Sequence, residues 1–156
     1  MRIAVACDHR GYEAKRRLIP VLKAAGHVVE DFGCDGTSAV DYPDHAAPAA
    51  RAVSEGKADT GILMDGSGIG MSVVANKVIG VRAALVHDHV TARRAREHNH
   101  CNVLCLGTDL IGEDQIRQIV DIFLNTHFGE GRHLRRIEKL NQVEQDEIRR
   151  GSKDLK

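Results

Sequence analysis

The 156-residue sequence contains no tryptophan, only two tyrosines and three phenylalanines, and just three prolines. Because aromatic residues make up only 3% of the chain, few rings are present on which nucleic acid bases could stack. Basic and acidic residues are equal at 22 each, so no net charge attracts nucleic acid or an anionic membrane. No apolar run approaches the roughly 20 residues that span a bilayer, and no signal peptide precedes the first apolar segment. We therefore predict a cytoplasmic protein with neither a nucleic acid nor a membrane partner.

Cysteine is also sparse, and no Cys-x-x-Cys pair occurs. The four cysteines are Cys7, Cys34, Cys101 and Cys105. Two of them lie within apparent strands, which favours buried, reduced thiols over a disulfide or a metal site. Histidine is more frequent, with nine residues, but the four between 87 and 100 lack an H-x-x-x-H spacing. We therefore predict no metal site.

The remaining composition, 42% hydrophobic and 28% charged, fits a single globular domain that covers residues 1–156. Short apolar segments alternate with helical patterns, which is typical of a parallel sheet with helices on both faces. We predict an α/β fold, a Rossmann-like three-layer α/β/α sandwich with a five-stranded parallel sheet. The predicted strands are 2–7, 27–32, 61–64, 80–86 and 102–106, and the predicted helices are about 12–25, 44–55, 71–76, 89–98 and 112–126.

A last, protruding helix is predicted from residue 132 to about 150, after a break at Gly129 and Gly131. Its apolar residues recur every three positions as a narrow stripe on a highly charged helix: Leu134, Ile137, Leu140 and Val143. Such a stripe favours packing on a second copy of the protein, and packing on its own domain is the alternative. We predict a homodimer clasped by residues 128–150, with a tetramer left open.

The stretch from residue 59 to 76 combines a buried strand, a loop of alternating glycines and the start of a helix. This order places free backbone N–H groups where an anion can lie. Asp65 stands at the mouth of the loop, where a base beside an anion hole suggests chemistry on an oxygen that gains negative charge. Three alternatives remain. They are a dinucleotide fingerprint, for which the glycine spacing is wrong, a structural turn, and a helix-capping role for Asp65.

Other polar residues are predicted at the same edge of the sheet, beyond the carboxyl ends of the strands. They are Asp8, His9 and the segments 87–89 and 107–109. His98 closes a predicted helix, where it could act as an acid or base or only interact with the helix dipole. The basic cluster that opens the last helix, 132–136, suits phosphate recognition, with simple solvation of a helix as the alternative.

Taken together, these pieces resemble the family of ribose-5-phosphate isomerase B and the galactose-6-phosphate isomerase subunits. The matching segments occur in family order over residues 1–150. They are Cys7–Gly11, Asp41–Pro43, Gly66–Gly70, Ala75–Lys77, Gly80–Ala83, Glu97–Asn99, Asn102–Val103 and Gly131–His133 with Arg136.

The resemblance implies a cofactor-free aldose–ketose isomerase that acts on a phosphorylated sugar through a cis-enediolate, as in the pentose phosphate pathway. The catalytic residues carried over by position are Asp65, His98, Ser67 and Asp8. The residues expected to bind substrate are His9, Tyr42, Gly66, Gly68, Ile69, Gly70, Asn99, Arg132, His133 and Arg136.

Each of these residues has a role implied by the resemblance. Asp8 and His98 would assist ring opening, Asn99 would place the sugar, and Tyr42 would line the pocket. The 66–70 loop would stabilise the enediolate, with Ser67 relaying a proton between the two oxygens. His9, Arg132 and Arg136 would hold the phosphate. Sites in this family lie between two subunits, so the tail arginines and His133 are expected to serve the partner's site.

The chain departs from the family pattern at two positions. Many members carry a cysteine base where this chain has Asp65, and others use a glutamate where it has Met71; a carboxylate is a weaker base than a thiolate. Asp109 stands where many members have an arginine near the phosphate. The sequence therefore leaves open which sugar is used. It also leaves two alternatives, an isomerase of another sugar or sugar phosphate and a non-catalytic phosphosugar-binding protein.

Overall fold

The structure, a computed structural model, describes residues 1–153 and contains five strands and six helices along that part of the chain. The strands are β1 (Arg2–Cys7), β2 (Val28–Asp31), β3 (Thr60–Asp65), β4 (Ala83–Leu85) and β5 (Val103–Gly107). The helices are α1 (Tyr12–Ala24), α2 (Tyr42–Ser54), α3 (Ile69–Ala75), α4 (His89–Glu97), α5 (Glu113–Asn125) and α6 (Arg132–Lys153).

All strand pairs are parallel, and the spatial order is β2-β1-β3-β5-β4. After β2 the chain crosses back over β1 to place β3 on its other side, so the strand order reverses between β1 and β3. A crevice opens at the carboxyl ends of the strands at such a reversal point, and ligands of open α/β sheets bind there. Asp8 follows β1 and Asp65 ends β3, so both acids lie at this crevice.

The core has two parts, one on each face of the sheet. On one face, Leu18 and Leu22 of α1, Ala92 and Ala95 of α4 and the apolar side of α5 pack on the strands. On the other face lie the alanines of α2, with Met71 and Ala75 of α3. Ala46, Ala49 and Ala50 are fully buried, because small side chains let α2 approach the sheet closely. The predicted three-layer α/β/α fold is confirmed.

Several element boundaries differ from the prediction. β4 is only three residues long, Ala83–Leu85, whereas an apolar run from 80 to 86 predicted seven. Helix α2 begins at Tyr42, two residues before the predicted start. Pro43 is tolerated in its first turn because the N–H that proline lacks would have no partner within the helix at that position. Helix α1 continues through Pro20 to Ala24.

One side of helix α6 contacts the rest of its own chain. Ile137 is buried, and the Glu144 carboxylate accepts a 2.8 Å hydrogen bond from the Gly80 N–H. Leu140 and Val143 remain 44% and 63% exposed, so part of the apolar stripe is uncovered in a single chain. None of the helices within residues 1–153 is long and apolar enough to cross a membrane. The predicted single domain ends at residue 156, which lies outside the described residues, so that boundary stays a prediction.

Candidate active site

The glycine loop after β3 turns the chain sharply into α3. Gly68 has φ = +77°, and a side chain there would lie 2.9 Å from the Leu106 carbonyl carbon. Gly107 at the end of β5 is equally constrained, since a Cβ would lie 2.6 Å from the Ser67 carbonyl oxygen. Glycine is therefore required at both positions, by conformation at the first and by close approach at the second. The predicted strand, loop and helix order is found, with α3 starting two residues early at Ile69.

Asp65 is 5% exposed, and its carboxylate folds back into the loop. Oδ1 accepts hydrogen bonds from the Ser67 N–H at 2.9 Å and from the Gly68 N–H. Oδ2 accepts one from the Met71 N–H at 3.1 Å, in the first turn of α3. The capping interaction is therefore present. A carboxylate oxygen can accept two hydrogen bonds, so Oδ1 is saturated while Oδ2 keeps one free lone pair.

This arrangement changes what the loop offers to a substrate oxygen. The Ser67, Gly68 and Met71 N–H groups are already directed at Asp65, and the Ile69 N–H donates to Ser67 Oγ at 3.2 Å. Within the described residues, only the Gly66 and Gly70 N–H groups of the loop lack an acceptor. The carboxylate thus occupies three of the six N–H groups from Gly66 to Met71, half of the donors that could bind an anion.

A cavity of about 640 Å³ lies over the loop, and Asp8, Tyr42, Asp65, Ser67 and Gly70 line it. Asp8 is held by its own turn, since its Oδ1 accepts from the Arg10 N–H at 2.8 Å and from the Gly11 N–H at 3.1 Å. A Cβ on Gly70 would lie 2.9 Å from the Tyr42 ring and 3.1 Å from Asp65 Oδ2. Only a residue without a side chain at position 70 therefore lets the Tyr42 ring and Asp65 Oδ2 lie this close to the loop.

Two further residues singled out from the sequence are His9, which follows Asp8, and Asp109. His9 Nδ1 accepts a 3.3 Å hydrogen bond from the Val40 N–H, so in the neutral ring Nε2 carries the proton and can donate. Asp109 lines the cavity, and its Oδ2 accepts from Arg10 Nε at 3.1 Å and Nη2 at 2.6 Å. Sequence reasoning did not single out Arg10; the acid at position 109 was the available signal, since a reversed charge implies a new cationic neighbour.

His98 lies at the opposite edge of the sheet from Asp65. Helix α4 leaves the carboxyl end of β4 and runs back, and Arg82, which precedes β4, donates to the His100 carbonyl at 2.9 Å. Strands advance about 3.3 Å per residue, so the length of β3 separates the two edges by roughly 20 Å. His98 and Asp65 therefore do not meet in one chain.

A second group of predicted residues surrounds His98. The rings of His98 and His133 stack with centroids 4.4 Å apart and planes 7° apart. The Gly129 N–H donates to the Glu97 carbonyl at 2.9 Å, which fixes the start of α6 beside the end of α4. Asn99 follows His98, and Arg132 and Arg136 flank His133 in the first turns of α6. The predicted site is thus divided into a cavity group around Asp65 and a histidine group around His98.

The histidine group is sensitive to protonation. Burial, and then the neighbouring His98, Arg132 and Arg136, lower the pKa of His133 below its ordinary value of 6.5. The Nδ1 atom of His133 is buried without a partner among the described residues. His100, which stacks on Phe128 at 4.6 Å, also has a lowered pKa, caused by burial and then by Arg82 and Arg96.

We expect acid to loosen the start of α6. A histidine whose pKa is lower in the folded state binds its proton more readily when released, so its contribution is complete above about pH 6.5 and declines as pH falls through the window below. The protection factors of amides 129–137, from hydrogen exchange corrected for the intrinsic pH dependence of the exchange rate, should fall between pH 7 and 5. The variant His133→Phe, which keeps the stacked ring but cannot titrate, should show a smaller pH dependence. An equal dependence in both proteins would contradict this role for His133.

No group of three or more metal-ligating side chains occurs within residues 1–153, and the four cysteines are buried free thiols. The fold and the loop define a doubly wound α/β protein with a small-molecule site at its strand reversal, where an acid meets a glycine loop. Comparison with known proteins identifies the family within this class. The family model Ribose/Galactose Isomerase matches residues 3–140.

Individual relatives match this chain over nearly its full length and theirs. Ribose-5-phosphate isomerase B of Escherichia coli is 38% identical over 92% of this chain and 97% of its own. D-erythrulose-4-phosphate isomerase of Pectobacterium atrosepticum is 37% identical over 94% and 97%. The structure of Clostridium thermocellum ribose-5-phosphate isomerase B superposes with a TM-score of 0.92, at 43% identity over 94% and 99%. The chain belongs to the Ribose/Galactose Isomerase family and is a sugar phosphate isomerase of the ribose-5-phosphate isomerase B type.

Proposed function

We propose that the protein interconverts an aldose phosphate and its ketose, of the ribose 5-phosphate and ribulose 5-phosphate type, through a cis-enediolate, without a cofactor. The observation that carries this proposal is the free lone pair of Asp65 Oδ2, on a residue that lines the cavity beside Tyr42. A base is useful only where a substrate carbon can reach it, and of the two carboxylate oxygens only Oδ2 keeps a lone pair free for this task.

In the proposed reaction, Asp65 Oδ2 removes the proton from C2 of the open-chain aldose and returns it to C1. The electron pair from the broken C–H bond forms the C1–C2 double bond, and charge develops on the carbonyl oxygen. The Gly66 and Gly70 N–H groups are the loop donors left for that oxygen. The Ser67 hydroxyl, whose oxygen already accepts from Ile69, is free to move a proton between O1 and O2.

Ring opening is assigned to Asp8 of one subunit and His98 of the other. A homodimer with shared sites supplies what one chain lacks, because the cavity group and the histidine group lie at opposite edges of the sheet. Asn99 and Tyr42 would place the sugar. His9, with Arg132, His133 and Arg136 of the histidine group, would hold the phosphate. The exposed residues of the α6 stripe, Leu140 and Val143, are suited to the contact between subunits.

A second candidate is an isomerase for a different sugar phosphate. Asp109 places a carboxylate in the cavity, and one relative at similar identity is named a D-erythrulose-4-phosphate isomerase. Because a pentose phosphate and a tetrose phosphate differ in the distance between C1 and the phosphate, the position of the phosphate-binding cations decides between them.

We expect NMR in D2O to show deuterium at C1 or C2 of the true substrate, together with new ketose signals. The panel contains tetrose, pentose and hexose phosphates, and each unphosphorylated sugar serves as the matched control. Exchange occurs because a proton held on Asp65 between removal and return can trade with solvent. No exchange with any member of the panel, in protein that still binds a sugar phosphate, would contradict the proposed reaction.

A further inference from the structure

The cavity over the glycine loop has an unusual charge balance for an enzyme of this class. Its charged lining residues are three carboxylates, Asp8, Asp65 and Asp109, and none of its lining residues is Lys or Arg. A phosphate monoester carries a charge close to −2 at neutral pH, so these acids alone would repel it. A cation of the same chain near the cavity mouth would offset this repulsion, beside the cations of the histidine group.

Arg10 is the cation that contacts this lining. Its guanidinium directs Nε and Nη2 to a single oxygen of Asp109, at 3.1 and 2.6 Å. Its stem runs beside the first glycine of the loop, since a Cβ on Gly66 would be 3.6 Å from Arg10 Cγ and 2.6 Å from Asp109 Oδ2. The ion pair therefore rests directly on the loop that carries the proposed base.

The geometry leaves Arg10 with unused donors. A guanidinium has five N–H groups, and the two bonds to Asp109 leave three of them, including both on Nη1. The side chain is 56% exposed, so these donors can reach a ligand in solvent at the rim. Planar N–H pairs of this kind suit phosphate oxygens, which accept two parallel hydrogen bonds.

The surrounding hydrogen bonds fix Arg10 before a ligand arrives. Its N–H donates to Asp8 Oδ1 at 2.8 Å, and its carbonyl accepts from the Thr108 hydroxyl at 3.1 Å. Asp109 is itself fixed, because its N–H donates to the Gly66 carbonyl at 3.0 Å. Holding a long side chain in place in advance lowers the entropy cost of binding.

We propose that Arg10 binds the phosphate of the substrate at the rim of the Asp65 cavity, with Asp109 as its positioning residue. This inference rests on the proposed function and adds a specificity-determining pair to it. The Asp109 carboxylate lines the cavity and would by itself repel a dianion. In the ion pair, its charge is balanced by Arg10, and it holds the guanidinium in position to bind the phosphate.

The test compares arginines in matched ion pairs. Arg10→Leu removes the proposed ligand. Arg2→Leu is the control, because Arg2 is 52% exposed, pairs with Asp59 at the same 2.6 Å, and lies at the amino end of β1, on the far edge of the sheet. Arg10→Lys keeps the charge but loses the planar fork. Calorimetric titration with ribose 5-phosphate and inorganic phosphate measures affinity without requiring turnover.

We expect Arg10→Leu to weaken both ligands by about tenfold or more, the loss of a charged hydrogen bond. Arg2→Leu should stay within about twofold of the wild type, and Arg10→Lys should fall between them. In turnover assays, KM for the sugar phosphate should rise more than kcat falls, since the phosphate does not react. Thermal unfolding should be nearly unchanged in all three variants, because exposed ion pairs contribute little to stability.

Two results would overturn the inference. One is equal affinity of Arg10→Leu and Arg2→Leu for ribose 5-phosphate, which would mean that the Arg10–Asp109 pair only holds the loop in place. The other is a wild-type protein that binds neither ligand. Failure of the proposed function looks different. There the wild type binds the sugar phosphate without isomerising it, while Arg10→Leu still loses affinity.

Discussion

Asp65→Asn is expected to lower kcat by about 10²- to 10⁴-fold, the contribution of a positioned general base, while the sugar phosphate still binds. The amide can keep its oxygen toward the Ser67 and Gly68 N–H groups, but the NH2 group that replaces Oδ2 only donates and cannot remove the C2 proton. Steady-state kinetics together with calorimetric titration separate the two effects. Loss of deuterium exchange from D2O in the same variant would identify proton transfer as the affected step.

A control is needed, because the amide also places an N–H group opposite the Met71 N–H and so weakens the cap of α3. Asp88→Asn is a matched change. Asp88 caps α4 by accepting from the Thr91 N–H at 2.7 Å, and it lies outside the Asp65 cavity. If Asp65→Asn and Asp88→Asn retain similar activity, Asp65 serves only as a cap and another group must be the base.

Asp65→Cys gives the complementary result. A thiol supplies the cysteine base that the family resemblance implies for many members, and it does not accept strongly from the loop N–H groups. Those donors become available to the developing enediolate, so activity should return in part. It should also increase toward the ordinary thiol pKa of about 8.5, as the thiolate fraction grows. An inactive cysteine variant with an intact fold would show that the loop has adapted to the carboxylate.

Mixing two inactive variants, Asp65→Asn and His98→Ala, is expected to restore about a quarter of the wild-type activity. If the site is shared, half of the randomly paired dimers are mixed, and each mixed dimer has one of its two sites intact. That site takes its aspartate from one chain and its histidine from the other. The physical basis is the separation of the two groups by the length of β3.

The experiment requires co-expression or joint refolding, so that subunits exchange. Different affinity tags on the two chains allow the mixed dimer to be purified, and its activity should be about half that of the wild type. The control is a mixture of Asp65→Asn with the double variant Asp65→Asn/His98→Ala, which contains no intact aspartate and should stay inactive. An inactive mixed dimer would place both residues in a site formed by one chain.

Much of the fold could be predicted because each strand is a short apolar run followed by a break. β3 is a clear example, six buried residues that end at Asp65. β4 was less predictable, since Arg82 and Val86 fit the strand pattern but do not pair as part of the strand. The start of α2 was set by Pro43, whose preference for a first helical turn outweighed the loop composition around it.

The candidate site was predictable residue by residue but not in its arrangement. The sequence singled out Asp65 and the glycine loop, yet a pattern of N–H donors does not reveal that the acid already accepts from three of them. His98 was grouped with Asp65 by family position, whereas the direction of α4 carries it to the other edge of the sheet. Arg10 was missed because its importance depends on Asp109, a neighbour 99 positions away in sequence.

The placement of the two groups at opposite edges has a consequence for the protein at low abundance. If the proposed shared site is right, a chain that carries both halves of the site but cannot bring them together would have no activity as a monomer. Specific activity would then fall on dilution below the dissociation constant of the dimer and recover on concentration. The total rate of the reaction would rise more steeply than the number of chains. A modest change in expression near that threshold would therefore change the rate more than in proportion.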